Sequence, residues 1–92
     1  MNRIGSVALR VVIQFCNDHY HWGLVYPDID DNIYWCGWSR VALLALREAI
    51  DRCLQAGHCV AELELVGVRE ESVYVECYEL ANTYGIVRFN VT

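Results

Sequence analysis

Apolar and polar residues alternate through the first third of the chain, in two runs that cover residues 7–16 and 19–26. An alternation with a period of two residues is typical of a β-strand that buries one face. Asn17-Asp18 separates the runs, and both residue types tolerate the left-handed backbone of a two-residue hairpin turn. The pattern therefore predicts a β-hairpin in which Cys16 lies opposite His19.

The two faces of this hairpin differ in character. The predicted register places Phe15 opposite Tyr20 and Ile13 opposite Trp22, which gives one apolar face for the core. A shift by one residue would destroy this match. The opposite face, which we call the outer face, is more polar and holds Arg10, Val12, Gln14 and Cys16 on the first strand and His19, His21, Gly23 and Val25 on the second.

A loop over residues 27–32, a third strand over 33–38 and a helix over 40–56 follow in the pattern. Ser39 is a good N-cap, and Gly57 stands where a helix often ends in a left-handed residue. An apolar stripe at helical spacing predicts the buried side of this helix, and it consists of Leu43, Leu46, Ile50, Cys53 and Leu54. Two further apolar residues fall on its polar side, where they are candidates for a subunit contact: Val41 and Leu44.

The second half of the chain alternates again, over residues 59–66, 73–77 and 87–91. With turns near 69–71 and 82–85, this pattern predicts three more strands. We therefore expect a single α+β domain over 1–92 with strand and helix order β-β-β-α-β-β-β. Its sheet is expected to be mostly antiparallel and packed on one helix.

The composition agrees with one small folded domain and narrows the classes of partner. The chain is 55% hydrophobic and 21% charged, with seven arginines, no lysine and a net charge of −5. An acidic chain of this kind is a poor match for nucleic acid. No apolar run approaches the length of a membrane span, and the first residues lack the features of a signal peptide. We expect a cytoplasmic protein with neither a nucleic acid nor a membrane as partner.

The cysteines and the hydropathy add to this expectation. Five cysteines without a C-x-x-C pair argue against a disulfide framework and against a zinc ribbon, and favour a reducing compartment. The mean hydropathy is +0.20, which is high for so short a chain. Excess apolar surface predicts a partner, most simply a second copy in a homodimer, and the acidity favours a basic protein as another.

The hairpin end carries the sharpest chemical constellation. His19 and His21 are two residues apart on one strand, hence on one face, and Cys16 is predicted opposite His19. Two imidazoles and a thiolate could bind a divalent metal such as zinc with an open position, although no fourth ligand is evident. The same groups could also act as a thiol nucleophile and its base. A small metal-dependent or thiol-dependent enzyme or ligand binder is therefore the alternative function.

A second thiol lies in Trp35-Cys36-Gly37-Trp38-Ser39, at the end of the third predicted strand. Over these five residues the chain resembles the W-C-G-x-C site of thioredoxin-like proteins, with Ser39 in place of the second cysteine. The resemblance implies a thiol whose pKa is lowered by the helix that follows. The strand-helix-strand unit that precedes this site in the family is missing here.

Aromatic residues concentrate on the predicted outer face. If the third strand continues the register, with Ile33 opposite Tyr26, it adds Tyr34, Cys36 and Trp38 there, and the second half adds acids and tyrosines. Aromatic side chains mixed with histidines and acids suit a binding surface for a protein or a small ligand. The predicted binding residues are Gln14, His19, His21, Tyr34, Cys36, Trp38, Glu62, Glu64, Tyr74 and Tyr78. A binding module without a cofactor is favoured over an enzyme.

Overall fold

The computed structural model of the protein describes residues 8–26 and 33–92, apart from the side chains of Ile33 and Tyr34. The predicted loop at 27–32 lies outside these residues. The secondary structure consists of β1 (Ala8–Cys16), β2 (His19–Val25), β3 (Ile33–Ser39), α1 (Ala42–Gln55), β4 (Cys59–Val66), α2 (Glu71–Thr83) and β5 (Arg88–Val91).

The first hairpin has the predicted turn and register. Asn17 and Asp18 both adopt positive φ, at 54° and 64°, as a type I′ turn requires. Cys16 pairs with His19, and the ladder continues without a shift to the pair of Arg10 with Val25. The local turn chemistry and the alternation of apolar residues were sufficient to specify this register.

The second hairpin also follows the predicted register over most of its length. His21 lies opposite Trp38 and Leu24 lies opposite Trp35. A register shift between Leu24 and Val25 then places Val25 opposite Ile33, so the expected pairing of Tyr26 with Ile33 is wrong. One additional residue of β3 enters the ladder at this shift, as in a β-bulge.

The predicted sheet is wrong in its strand order and in its direction. The sheet is mixed, with five strands in the order β3-β2-β1-β4-β5. β1 pairs with β4 in parallel, and β4 pairs with β5 in parallel. Parallel neighbours require a long crossover, and helices supply it both before and after β4. The expected hairpin connections of the second half are therefore absent from the described sheet.

The expected strand at 73–77 is instead part of the second helix, α2. Val73, Cys77 and Ala81 recur at a spacing of four residues, so they share one face of a helix. Cys77 and Ala81 are fully buried in the core, and Val73 packs against it. The segment over 82–85 is the end of this helix, where Gly85 has φ 79° and Ile86 N–H bonds to the Ala81 carbonyl.

The helix α1 lies where the sequence predicted a helix, but it begins later and faces differently. Its N-cap is Val41, while Ser39 ends β3 and its Oγ accepts a hydrogen bond from Val41 N–H at 3.2 Å. Gly57 adopts φ 83° as expected, and a Schellman pair of hydrogen bonds closes the helix. Leu54 was predicted to be buried but is exposed. The face of the helix that packs against the core includes three alanines instead. The buried residues of α1 are Ala42, Ala45, Leu46, Ala49, Ile50 and Cys53.

Both helices cover the same face of the sheet. Leu9, Val11 and Ile13 of β1 are fully buried in one cluster with residues of α1 and with Cys77 and Ala81 of α2. The cluster also takes in Leu63 and Leu65, which pair with the apolar side of β1. Within the described residues, no helix covers the opposite side, so the outer face of the sheet is open. No helix among the described residues combines the length and the apolar character needed to span a membrane.

Candidate functional site

Seven residues at the centre and one end of the outer face form a continuous surface, which we call the outer patch. Two rows of cross-strand pairs build it, and each row runs over β1, β2 and β3. Its residues are Val12, Gly23 and Cys36 in one row, Gln14, His21 and Trp38 in the next, and His19 at the hairpin end.

A glycine creates a depression in this patch. Gly23 contributes no side chain between Val12 and Cys36, its neighbours in the row. The resulting groove has a volume of about 230 Å³ and reaches the row of His21 and Trp38. A second groove of about 290 Å³ lies on the other side of these two side chains, toward Asn17 and His19. His21 and Trp38 therefore form a ridge between two shallow grooves.

Trp38 is the most prominent side chain of the ridge. It is 57% exposed although it lies within a strand. The His19 ring meets its ring edge to face, with 4.7 Å between the centroids. This contact limits the rotation of the indole while leaving most of its surface available.

The imidazole of His19 has a defined tautomer in this arrangement. Its Nδ1 lies 2.7 Å from the Asn17 carbonyl oxygen. A carbonyl can only accept, so Nδ1 carries the proton and donates. The Nε2 atom of the neutral ring then keeps its lone pair, available as an acceptor.

The three predicted metal ligands, Cys16, His19 and His21, lie at the hairpin end of the sheet. Cys16 pairs with His19, and the His19 and His21 rings are 6.3 Å apart. Over residues 8–26 and 33–92, however, no three side chains of histidine, cysteine, aspartate or glutamate are grouped so that they could hold a metal ion. Within the part of the chain that the structure describes, the alternative metal-dependent function therefore has no set of three ligands.

The position of Cys36 differs from that implied by the thioredoxin-like motif. Cys36, Gly37 and Trp38 all lie within β3, and α1 begins only at Ala42. The thiol is exposed on the outer face rather than placed at the start of a helix. The helix dipole therefore does not act on this thiol in the way the motif implied.

The two predicted acidic residues of β4 lie on the outer face but are engaged with neighbouring side chains. Arg10 places Nε 3.6 Å from Glu62 Oε2 and Nη1 3.9 Å from Glu64 Oε1. Asn90 Nδ2 donates to Glu62 Oε2 at 2.7 Å. Both carboxylates are therefore held by neighbouring side chains within the sheet, and Arg10 balances one of their two negative charges.

Two other expected members of the surface lie elsewhere, and a third is not described. Tyr74 and Tyr78 belong to α2, so they are not on the outer face as predicted. Tyr74 Oη donates to the Val68 carbonyl, and the Tyr78 ring packs on Phe89 with a centroid distance of 4.6 Å. Both tyrosines thus support the core, because α2 replaces the expected strand. The side chain of Tyr34 lies outside the part of the chain that the structure describes.

The helix layer carries a larger groove on the opposite side of the molecule. It has a volume of about 620 Å³ and lies between α1 and α2. Four of its lining residues are aliphatic, Val41, Leu43, Leu44 and Leu80, and the others include Arg47, Glu76 and Glu79. It contains neither an aromatic ring nor a histidine. Val41 and Leu44 are about half exposed here, as the sequence predicted.

Sequence reasoning missed Gly23 as a determinant of the site. A glycine inside an otherwise β-rich run does signal a bulge or a close approach to the backbone. Here the groove forms because strand pairing places Gly23 between Val12 and Cys36, which are distant from it in the sequence.

Comparison with known proteins gives no relative from which a role for these residues could be transferred. Neither the protein-family models nor the curated proteins contain a match to this chain.

Proposed function

We propose that the protein is a binding module whose outer patch receives an apolar or aromatic side chain of a partner protein. The observation that supports this proposal is the exposure of Trp38 on a ridge between two grooves, on a sheet face that neither α1 nor α2 covers. Tryptophan is among the residues that most often dominate binding energy at protein interfaces. A large exposed indole, oriented by His19, is therefore suited to act as an anchor.

The size of the grooves favours a protein partner over a free small molecule. Pockets for small ligands usually measure roughly 300–1,000 Å³ and enclose most of the ligand. The grooves beside Trp38 measure about 230 and 290 Å³ and are open to solvent. Each can hold one side chain, while the rest of the partner lies over the sheet.

The chemistry of the lining indicates the kind of side chain that fits. Val12, Cys36 and Trp38 present apolar surface, while Gln14 and His21 supply hydrogen-bonding groups beside it. Neither groove is lined by an aspartate or a glutamate, and Glu62 and Glu64 share an ion pair with Arg10 on β1. We therefore place an apolar or aromatic anchor, rather than a basic one, in the groove.

The test is a selection of peptides from a displayed random library on the wild-type protein. We expect the selected peptides to share an aromatic or large apolar residue. For Trp38→Ala we expect their affinity to fall at least about tenfold, which corresponds to about 1.4 kcal/mol of binding free energy. Fluorescence anisotropy with labelled peptides measures the change.

Leu44→Ala provides the matched control. Leu44 is 51% exposed, close to the 57% of Trp38, but lies on the opposite side of the molecule. Peptide affinity should be unchanged in this variant. Equal binding to Trp38→Ala and wild type, or a selection that yields no binding peptide, would contradict the proposed function.

A further inference from the structure

The strand β3 forms an edge of the sheet. It pairs with β2 on one side, and no strand formed by residues 8–26 or 33–92 lies on the other. The backbone groups on its free side are therefore available to another strand.

The hairpin register identifies the residues of β3 that carry these free groups. Cys16 and His19 close the first turn as a hydrogen-bonded pair, so alternate residues of β2 bond to β1, and the residues between them bond to β3. Tyr20 and Trp22 then bond to Ser39 and Gly37. Cys36 and Trp38, which lie between these positions, turn N–H and C=O toward the free edge.

The edge lacks most of the features that usually prevent strand pairing. Exposed edges are commonly protected by charged residues, proline or short length. Over its seven residues, Ile33–Ser39, the strand has neither a charged residue nor a proline, and its bulge lies near its beginning. The opposite edge strand, β5, has only four residues and carries Arg88.

We propose that β3 pairs antiparallel with β3 of a second copy of the chain, about a two-fold axis at Gly37. In this register, Cys36 of each copy lies opposite Trp38 of the other copy. The backbone groups of Cys36 and Trp38 both point toward the free edge. Each Cys36–Trp38 pair across the axis therefore forms two N–H to C=O hydrogen bonds. An axis at Cys36 would satisfy fewer groups, because it would pair Trp38 with residue 34 at the bulge.

The glycine on the axis favours this arrangement on the helix side of the sheet. Trp22 already covers Gly37, since a Cβ built there would meet the indole at 2.6–2.8 Å. Paired glycines keep the region between the two Trp22 rings free of further side chains.

This dimer would complete the outer patch. The row of Val12, Gly23 and Cys36 ends at the free edge in a single copy. With the second copy in place, Trp38 of that copy continues the row and closes the open end of the groove at Gly23. The two outer patches then lie side by side on one continuous sheet, with all helices on its other side.

Two double variants that differ only in the sign of the charge at position 38 test the pairing. Cys36→Lys with Trp38→Lys places like charges opposite each other across the dimer axis. Cys36→Lys with Trp38→Glu places opposite charges at the same positions. We expect the dimer Kd of the first to exceed that of the second by at least about tenfold, because cross-strand charge pairs occur at both positions. Sedimentation equilibrium on the full chain measures both constants.

Cys16→Lys is the control, since Cys16 is an exposed residue of β1 away from the edge. We expect it to dimerise like the wild type. A monomeric wild type, or equal dimer stability in the two double variants, overturns the proposal.

Amide hydrogen exchange on the wild type supplies a measurement that does not depend on the folding of any variant. The Cys36 and Trp38 amides should become protected as the concentration rises into the dimeric range. If a dimer forms while these amides continue to exchange rapidly, the edge is not the interface. The proposed function and the proposed dimer can fail independently. A loss of peptide binding in Trp38→Ala supports the outer patch as the binding surface whether or not the chain dimerises.

Discussion

Gly37 shows how one residue of β3 limits the packing of the core. It lies opposite Trp22, whose Nε1 also donates a hydrogen bond to Glu48 Oε1 at 3.1 Å. The indole therefore packs against Gly37 of β3 and joins this strand to α1, in space that a side chain at position 37 would fill. The sequence alone did not reveal this, because the contact depends on a side-chain orientation set by α1.

Gly37→Ala should accordingly destabilise the protein by about 1–3 kcal/mol, as expected for overpacking. Urea unfolding measures the change. The double variant with Trp22→Leu should show a smaller effect of Gly37→Ala than the wild-type background, because the clashing ring is gone. Equal effects in the two backgrounds would show that the contact with Trp22 is not the cause.

The buried thiols make stability depend on pH in the alkaline range. Burial raises the pKa of Cys53 and of Cys77 from 9.0 to about 11. In the unfolded chain both thiols lose their protons at lower pH than in the folded chain, so the folded state binds more protons between these values. Their contribution is complete below pH 9.0 and is lost as the pH rises toward about 11.

We therefore expect the free energy of unfolding to fall as the pH rises through this interval. Urea titrations at successive pH values measure it. Cys77→Ala should reduce the slope, whereas Cys16→Ser should leave it unchanged because Cys16 is exposed. A slope identical in Cys77→Ala and wild type would contradict this assignment.

At the scale of elements, the first hairpin was predictable because its turn and its strands specify the same register. Its turn is nevertheless not optimal, since Asp18 occupies the left-handed region with φ 64°. Glycine adopts this conformation without strain, and Asn-Gly is the preferred pair for this turn type.

Asp18→Gly should thus stabilise the protein by about 0.5 kcal/mol, the relief of strain exceeding the added freedom of the unfolded chain. Asp18→Ala should instead destabilise it, because alanine gains no local hydrogen bond in this region. Thermal unfolding of both variants, monitored by circular dichroism, gives the comparison. Destabilisation by Asp18→Gly would argue against the I′ geometry.

The helix α2 was missed because its apolar residues fit two periods. Val73, Val75 and Cys77 alternate as in a strand, yet Cys77 and Ala81 lie four residues apart, as on a helix. The structure resolves the choice, since Val75 is exposed while Cys77 and Ala81 are fully buried. Gly85 was the available signal, because it ends a helix here as Gly57 does for α1.

At the scale of the whole molecule, the sequence specified which residues share a face but not which strands are neighbours. The outer-face positions of Gln14, His21, Cys36 and Trp38 follow from two hairpins and could be predicted. The parallel partner of β1 could not, because the crossover through α1 places β4 beside it without a local signal in either strand. Tyr74 and Tyr78 lie on the core side rather than on the expected surface, because they belong to α2, the helix of the second crossover.

The parallel pairing of β1 with β4 has a consequence for synthesis of the chain. Leu9 pairs with Val60, so the centre of the sheet joins segments that leave the ribosome at widely separated times. Until β4 emerges, the finished hairpins have an open edge at β1 as well as at β3, and their apolar face lacks its β4 neighbours. The nascent chain therefore passes through an interval in which strand pairing between neighbouring chains competes with folding, and this interval ends only when the segment beyond α1 has been translated.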